Sequence, residues 1–134
     1  MYGENSRRIL IWSIMAARIL LADDHELVRR GLGLVLEGLS AWAICGEACD
    51  GQEAVEKTLE LKPDLIVLDI SMPIMNGIEA ARKIRNLAPA TRIVLYSMHS
   101  SAQLIEQAKQ AGADAFLMKG TPAKQLRKTI AALL

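Results

Sequence analysis

Five polar side chains stand directly after short apolar runs, and their types belong together chemically. Asp23 and Asp24 follow Ile19–Ala22, Asp69 follows Leu65–Leu68, Ser97 follows Ile93–Tyr96, and Lys119 follows Ala115–Met118. Three carboxylates brought to one place repel, and at least one tends to take up a proton. A hard divalent cation removes that conflict: Mg²⁺ accepts carboxylate and carbonyl oxygens and keeps several waters in an octahedron. A cation and an ammonium group to neutralise phosphoryl oxygens, a carboxylate nucleophile and a hydroxyl to bond the product make up the inventory of phosphoryl transfer. Taken singly, each residue has an ordinary explanation. Asp23 or Asp24 could cap a following helix, Asp69 could open the turn at Pro73, Ser97 could be a cap, and Lys119 could be a solvated surface lysine. Their recurrence in order, at the ends of successive apolar runs, is what those separate explanations leave out.

Such residues converge only if the elements between them bring the run ends to one edge. The runs Ile19–Ala22, Trp42–Cys45, Leu65–Leu68, Ile93–Tyr96 and Ala115–Met118 are short and near-continuously apolar, the pattern of strands buried on both faces. Between them lie stretches of helical spacing: Val28, Leu32, Val35, Leu36 and Leu39; then Ala54, Val55, Thr58 and Leu59; then Ile78, Ala81 and Ile84; then Leu104, Ile105 and Ala108; and last Leu126, Ile130 and Leu133. Pro63, Pro89 and Gly112 follow the second, third and fourth of these, and Thr121–Pro122 fits an N-cap and first position for the fifth. Five strands alternating with five helices predict right-handed crossovers and a doubly wound α/β domain whose five-stranded parallel sheet is covered on both sides. Ligands of such sheets bind beyond the carboxyl ends of the strands, where strand order reverses.

Composition agrees with one such domain. The chain has 134 residues, 51% of them hydrophobic, with 16 basic and 15 acidic residues and a formal net charge of +1. The length suits a single domain, the apolar content excludes disorder, and the charge balance argues against a dedicated nucleic-acid surface. Cys45 and Cys49 form neither a disulfide framework nor a zinc pattern and are expected as small buried residues. Residues 1–17 differ: Arg7–Arg8 and the apolar stretch Ile9–Ala17 have the outline of a signal peptide, yet a membrane span needs about 20 apolar residues. A signal, a genuine extension, or a start upstream of a natural Met15 are the readings. The cytoplasmic character of the chain beyond Met15 favours the third. Residues 1–16 are therefore expected as an extension whose first 14 residues do not pack on the core, and 17–134 as the domain.

LLADDHELVRRGL, LIVLDISMPIMNGIEA, IVLYSMHS and GADAFLMKG together resemble the receiver domain of bacterial two-component response regulators, over residues 17–134 and with every motif in order. The DDHELVRRGL and MKGTP forms are similar to receivers of the NarL/FixJ (LuxR-type output) subfamily. The resemblance implies a flavodoxin-like, CheY-like (βα)5 fold and an aspartyl phosphate formed on Asp69 by a partner histidine kinase. It implies Mg²⁺ bound directly by Asp24, Asp69 and the backbone carbonyl of Ser71, and through water by Asp23. It further implies that Lys119 holds a phosphoryl oxygen, that Ser97 closes onto the phosphate and gains a partner it otherwise lacks, and that Phe116 is an aromatic switch. Core packing is the other reading of Phe116. Asn76–Gly77 sits at the family's tight approach to the third helix. Ser71 and His99 flank the route of an attacking water, while His25 alone reads as a first-turn helix residue. Gly120 follows Lys119 where many receivers have proline, so a fixed cis bond is not expected.

The same resemblance implies a switch rather than an enzyme, acting in the cytoplasm. Homodimer formation on phosphorylation, no membrane contact, and DNA contact only through a C-terminal helix-turn-helix domain absent from this sequence complete that expectation. A stand-alone chemotaxis-type regulator is the alternative. A Mg²⁺ phosphohydrolase is disfavoured by Ser71, which stands where those enzymes carry a second acid, and a flavodoxin-like cofactor binder by Asp23–Asp24 in place of a phosphate loop.

Overall fold

The computed structural model describes residues 16–38 and 42–134; expectations placed on residues 1–15, and on Leu39 as the end of the first helical face, lie outside the described residues. Strands and helices alternate: β1 Ala17–Ala22, α1 Glu26–Glu37, β2 Trp42–Ala48, α2 Gly51–Leu61, β3 Leu65–Asp69, α3 Gly77–Leu87, β4 Arg92–Ser97, α4 Ala102–Gln110, β5 Ala115–Met118 and α5 Ala123–Leu133. All strand pairs are parallel, in the order β2-β1-β3-β4-β5. Strand order therefore reverses between β1 and β3, and the crevice of a doubly wound sheet opens at their carboxyl ends.

Side-chain alternation divides the core into two layers. On one face Leu20, Ile66, Leu68, Ile93 and Leu95 meet Ala54, Val55, Ile78, Ala81, Ile84 and Ala108 from α2, α3 and α4. On the other, Ile19, Leu21, Leu65, Val67 and Val94 meet Leu32, Leu36, Leu126 and Ile130 from α1 and α5. Each fully buried Leu or Ile stabilises the fold by about 1.5–3 kcal/mol relative to an exposed one. Asp50, Asn76 and Ser101 cap α2, α3 and α4, each accepting from the backbone N–H three residues on, which satisfies donors a bare helix start would leave open.

Four expectations are corrected. Burial on both faces holds for β1, β3 and β4, whereas β2 and β5 lie at the sheet edges and are largely half-buried; β2 also runs on to Ala48, past the end of its apolar run. Cys45 is half-buried, skipped where the β1–β2 register shifts, and Cys49 is exposed, its thiol donating to Glu53. Leu59 points to solvent, 45% exposed, and the inward face of α2 runs through Thr58 to Leu61 instead. Thr121 does not cap α5: Pro122 holds the cap position without a side-chain bond, and the Thr121 hydroxyl turns back to the Met118 carbonyl. The peptide after Lys119 is trans, as Gly120 predicts.

Candidate functional site

Asp69 is the last residue of β3 and Asp23 the first after β1, so the reversal point sets both carboxyl groups at one edge. Asp23 is fixed at its backbone: its N–H donates to the Ala48 carbonyl, and its own carbonyl accepts from Arg29 Nη1 at 2.6 Å. Asp69 is fixed from behind, since Gly77 N–H donates to the Ile70 carbonyl and α3 starts against the strand end. A Cβ at position 77 would lie 2.1 Å from the Asp69 carbonyl oxygen, so this close approach requires glycine.

Lys119 reaches both acids. Its Nζ stands 2.9 Å from Asp23 Oδ2 and 3.2 Å from Asp69 Oδ1, with 12% of its side chain exposed, which rules out a merely solvated lysine. Burial works against its charge, but the two carboxylates outweigh that and hold its pKa above the usual lysine value. Asp69 is raised, first by burial and then by the Asp23 charge, with Lys119 and the Ser71 N–H pulling the other way. Tyr96 adds its ring face beneath the ammonium, 5.9 Å from Nζ to the centroid. Asp23 Oδ2 is held by charge rather than by a well-directed hydrogen bond, and Asp69 Oδ2 is buried with no partner at all.

That unpartnered oxygen tests whether a cation fits. A buried acceptor without a donor costs about 1–3 kcal/mol and more when charged. Carboxylates gathered at one edge are the donors a hard cation selects. The residues fit a divalent ion.

The remaining expected residues fall at different depths. Asp24 is neighbour to Asp23, partly exposed and met by His25 Nδ1 at 3.0 Å. Neither acid caps α1: His25 occupies the cap position, just outside the first turn, and Asp23 Oδ1 accepts the His25 N–H. Ser71 is exposed, and its N–H reaches Asp69 Oδ1 at 3.4 Å. Ser97, buried at the end of β4, already accepts from the His99 N–H at 3.1 Å and passes its carbonyl to the Lys119 N–H at 2.7 Å. The expectation that its hydroxyl lacks a partner is therefore corrected, although the hydroxyl keeps a proton to donate. Phe116 is half-buried against the α2–α3–α4 layer, opposite Leu95 in the β4–β5 register. His99 is exposed, and its ring makes no hydrogen bond or ion pair among the described residues. Gly77 makes the tight approach expected of Asn76–Gly77, whereas Arg29 and Tyr96 support the site without having been singled out for it. Arg29 and Tyr96 carry no signal for these roles in a single sequence. An apolar cavity of about 340 Å³, lined by Leu59, Pro63, Leu87 and Pro89 among others, lies before β3 and β4, at the far end from the acids.

A doubly wound sheet with an acid–lysine cluster at its reversal point defines a class of domain suited to cation-assisted phosphoryl chemistry. The sequence profile of the response regulator receiver domain matches residues 19–131, and the chain belongs to that family. The transcriptional regulatory protein YhcZ of Bacillus subtilis is 39% identical over 112 residues, which is 84% of this chain and 52% of that protein. VraR of Staphylococcus aureus, a response regulator protein, is 34% identical over 116 residues, 87% of this chain and 56% of its own. The chain thus spans about half the length of these relatives. Among solved structures, a LuxR-family two-component response regulator from Aurantimonas sp. SI85-9A1 superposes with a TM-score of 0.84 at 36% identity, covering 88% of this chain and 84% of its own. The signal receiver domain of the response regulator NarL from Mycobacterium tuberculosis does so at 0.83 and 34%, covering 87% and 94%. Among the described residues no helix is long and apolar enough to cross a membrane.

Proposed function

We propose that Asp69 is the phosphoacceptor of this receiver and takes its phosphoryl group from a histidine kinase. The observation that carries the reading is the Lys119 ammonium held between Asp23 and Asp69 while Asp69 Oδ2 stays buried and unpartnered. Asp24, Asp69 and the Ser71 carbonyl would hold Mg²⁺ directly, with Asp23 acting through water; the ion supplies charge neutralisation at the phosphoryl oxygens. Lys119 then neutralises a further phosphoryl oxygen. Ser97 turns its hydroxyl proton toward the new anion, and its loop follows. Phe116, half-buried against the α2–α3–α4 layer, rotates into the space vacated and repacks the face of α4, β5 and α5. The anion shifts this two-state balance only by the contacts it makes in one state and not the other. Small Ser71 would leave the water route to the phosphate open, and His99 at its rim would order or block that water.

The receiver unit is residues 17–134, with 1–16 an extension outside it. The matched stretch takes up only 52% and 56% of these relatives, and YhcZ is named for transcriptional regulation, which supports an output domain, of helix-turn-helix type, through which DNA is bound. Phosphorylation would favour a homodimer. The setting is cytoplasmic, and the role is that of a switch, not of an enzyme turning over a small substrate. Beryllofluoride tests the site: binding that needs Mg²⁺ and disappears in Asp69→Asn supports it, and binding that survives the substitution refutes it.

A further inference from the structure

The apolar cavity before β3 and β4 has two exposed leucines in its lining, Leu59 at 45% and Leu87 at 57%. Pro63, Ala88, Pro89 and Ala90 continue the apolar wall. A single exposed leucine is ordinary on a protein surface, but a contiguous apolar recess marks a place that another group covers. The acids and Lys119 lie at the other end of the sheet, so the cavity has no part in their chemistry.

The chain enters the described fold beside this cavity. The Arg18 N–H donates to Asp64 Oδ2 at 2.8 Å and Arg18 Nη1 to the Leu61 carbonyl at 2.6 Å, while the Asp64 N–H donates to the Arg18 carbonyl at 2.9 Å. These bonds pin the start of β1 to the α2–β3 loop, whose residues Lys62, Pro63 and Asp64 form one wall of the cavity. Asp64 and Ala90 line both the cavity and a second recess that Ala17 borders. Upstream of that point stand Ile9, Leu10, Ile11, Trp12 and Ile14, five large apolar side chains within six residues. A run this short cannot span a bilayer, which takes about 20 residues, so in water it needs another apolar surface. Three steps of extended chain from Ala17 to Ile14 reach about 10 Å, and eight steps to Ile9 about 28 Å, enough to lay the run along the cavity. Arg7 and Arg8 precede the run, and α2 and α3 both end at the cavity, bringing the negative ends of two helix dipoles to it.

We propose that residues 9–14 seat their apolar side chains in the groove between the ends of α2 and α3 of the same chain, where the extension covers this end of the sheet. The sequence alone leaves the first 14 residues off the core; the groove offers them an apolar surface. This seat does not depend on the chemistry at Asp69.

The full chain labelled with 5-fluorotryptophan tests it, because Trp12 and Trp42 are its only tryptophans and Trp12→Phe tells their resonances apart. In the unsubstituted chain the Trp12 resonance should escape broadening by a soluble gadolinium chelate. Leu59→Lys combined with Leu87→Lys should restore the broadening seen in urea and leave Trp42 unchanged. Both leucines are exposed, so the lysines should leave the fold intact, which the position of the Trp42 resonance checks. A second measurement needs neither lysine: Trp12→p-benzoylphenylalanine, photolysed in dilute solution, should cross-link within one chain to residues 58–64 or 87–91. Broadening of Trp12 equal to that of the unfolded chain, or protection that survives both lysines, overturns the seat. Cross-links between two chains, or to other elements, make a second copy or another surface the occupant and overturn it equally.

Discussion

Lys119 Nζ lies 3.2 Å from Asp69 Oδ1, although 50 residues of chain, α3, β4, α4 and β5 among them, separate the two. Only the parallel register of β3, β4 and β5 makes that distance possible, and the Lys119 N–H to Ser97 carbonyl bond locks it. Fold and chemistry are coupled at this contact, and its removal has a readable cost.

Lys119→Met leaves Asp23 and Asp69 facing each other without their counter-ion. Removing one partner of a buried ion pair costs on the order of 3 kcal/mol. Urea unfolding at pH 7 without divalent cation should show that loss. Added Mg²⁺ should restore part of it, because a ligand at 100 times its dissociation constant stabilises by about 2.7 kcal/mol. No change in midpoint would mean that Lys119 is not the charge holding the pair.

Asp69→Asn should stabilise the cation-free protein at neutral pH. Burial and Asp23 raise the folded pKa of Asp69 above the unfolded value near 3.9, so the native state holds its proton longer than the unfolded chain. Its contribution to stability is complete below the unfolded value and is lost as pH rises through the folded one. The variant's advantage in melting temperature should therefore be absent near pH 3, grow as pH climbs past 4, and level off once the native carboxyl is ionised. An advantage that shrinks with rising pH contradicts this.

Gly77→Ala drives a methyl group into the Asp69 carbonyl. The expected cost is about 1–3 kcal/mol, with weaker Mg²⁺ binding because the strand end must move. Denaturation and metal titration check both, and an alanine variant with unchanged values would show that the contact relaxes freely.

Ile74 sits in the β3–α3 loop at φ 69° with 83% of its surface exposed, a left-handed conformation costly for a β-branched residue. It buries almost nothing in return. Ile74→Gly or Ile74→Asn should stabilise by about 1 kcal/mol, measured as an increase in urea midpoint, and equal destabilisation by both would refute the strain.

The sheet and its central strands were legible because Leu65–Leu68 and Ile93–Tyr96 are buried on both faces and so carry no polar residue. The edge strands were less so: β2 continues through Gly46, Glu47 and Ala48, and the exposed Glu47 breaks the apolar run before the buried Ala48. The acids and lysine could be gathered from their places after the runs, since parallel strands put all carboxyl ends at one edge. The supports could not. That Arg29 clamps the Asp23 carbonyl, that Tyr96 lies beneath Lys119, and that His25 turns from its helix toward two carboxylates are facts of side-chain direction, and spacing alone does not encode direction. Ser97 is the same case: its residue type announced a hydroxyl at the strand end, but not that the His99 N–H already engages it.

Exposure of the protein to radiolabelled acetyl phosphate with Mg²⁺, followed by counting of label, bears most directly on the assignment of Asp69. Close to one acyl phosphate per chain, lost on chelation of Mg²⁺ and missing from Asp69→Asn, is the predicted result. Label retained by Asp69→Asn at the level of the unsubstituted chain would place the phosphoryl group elsewhere and contradict the account.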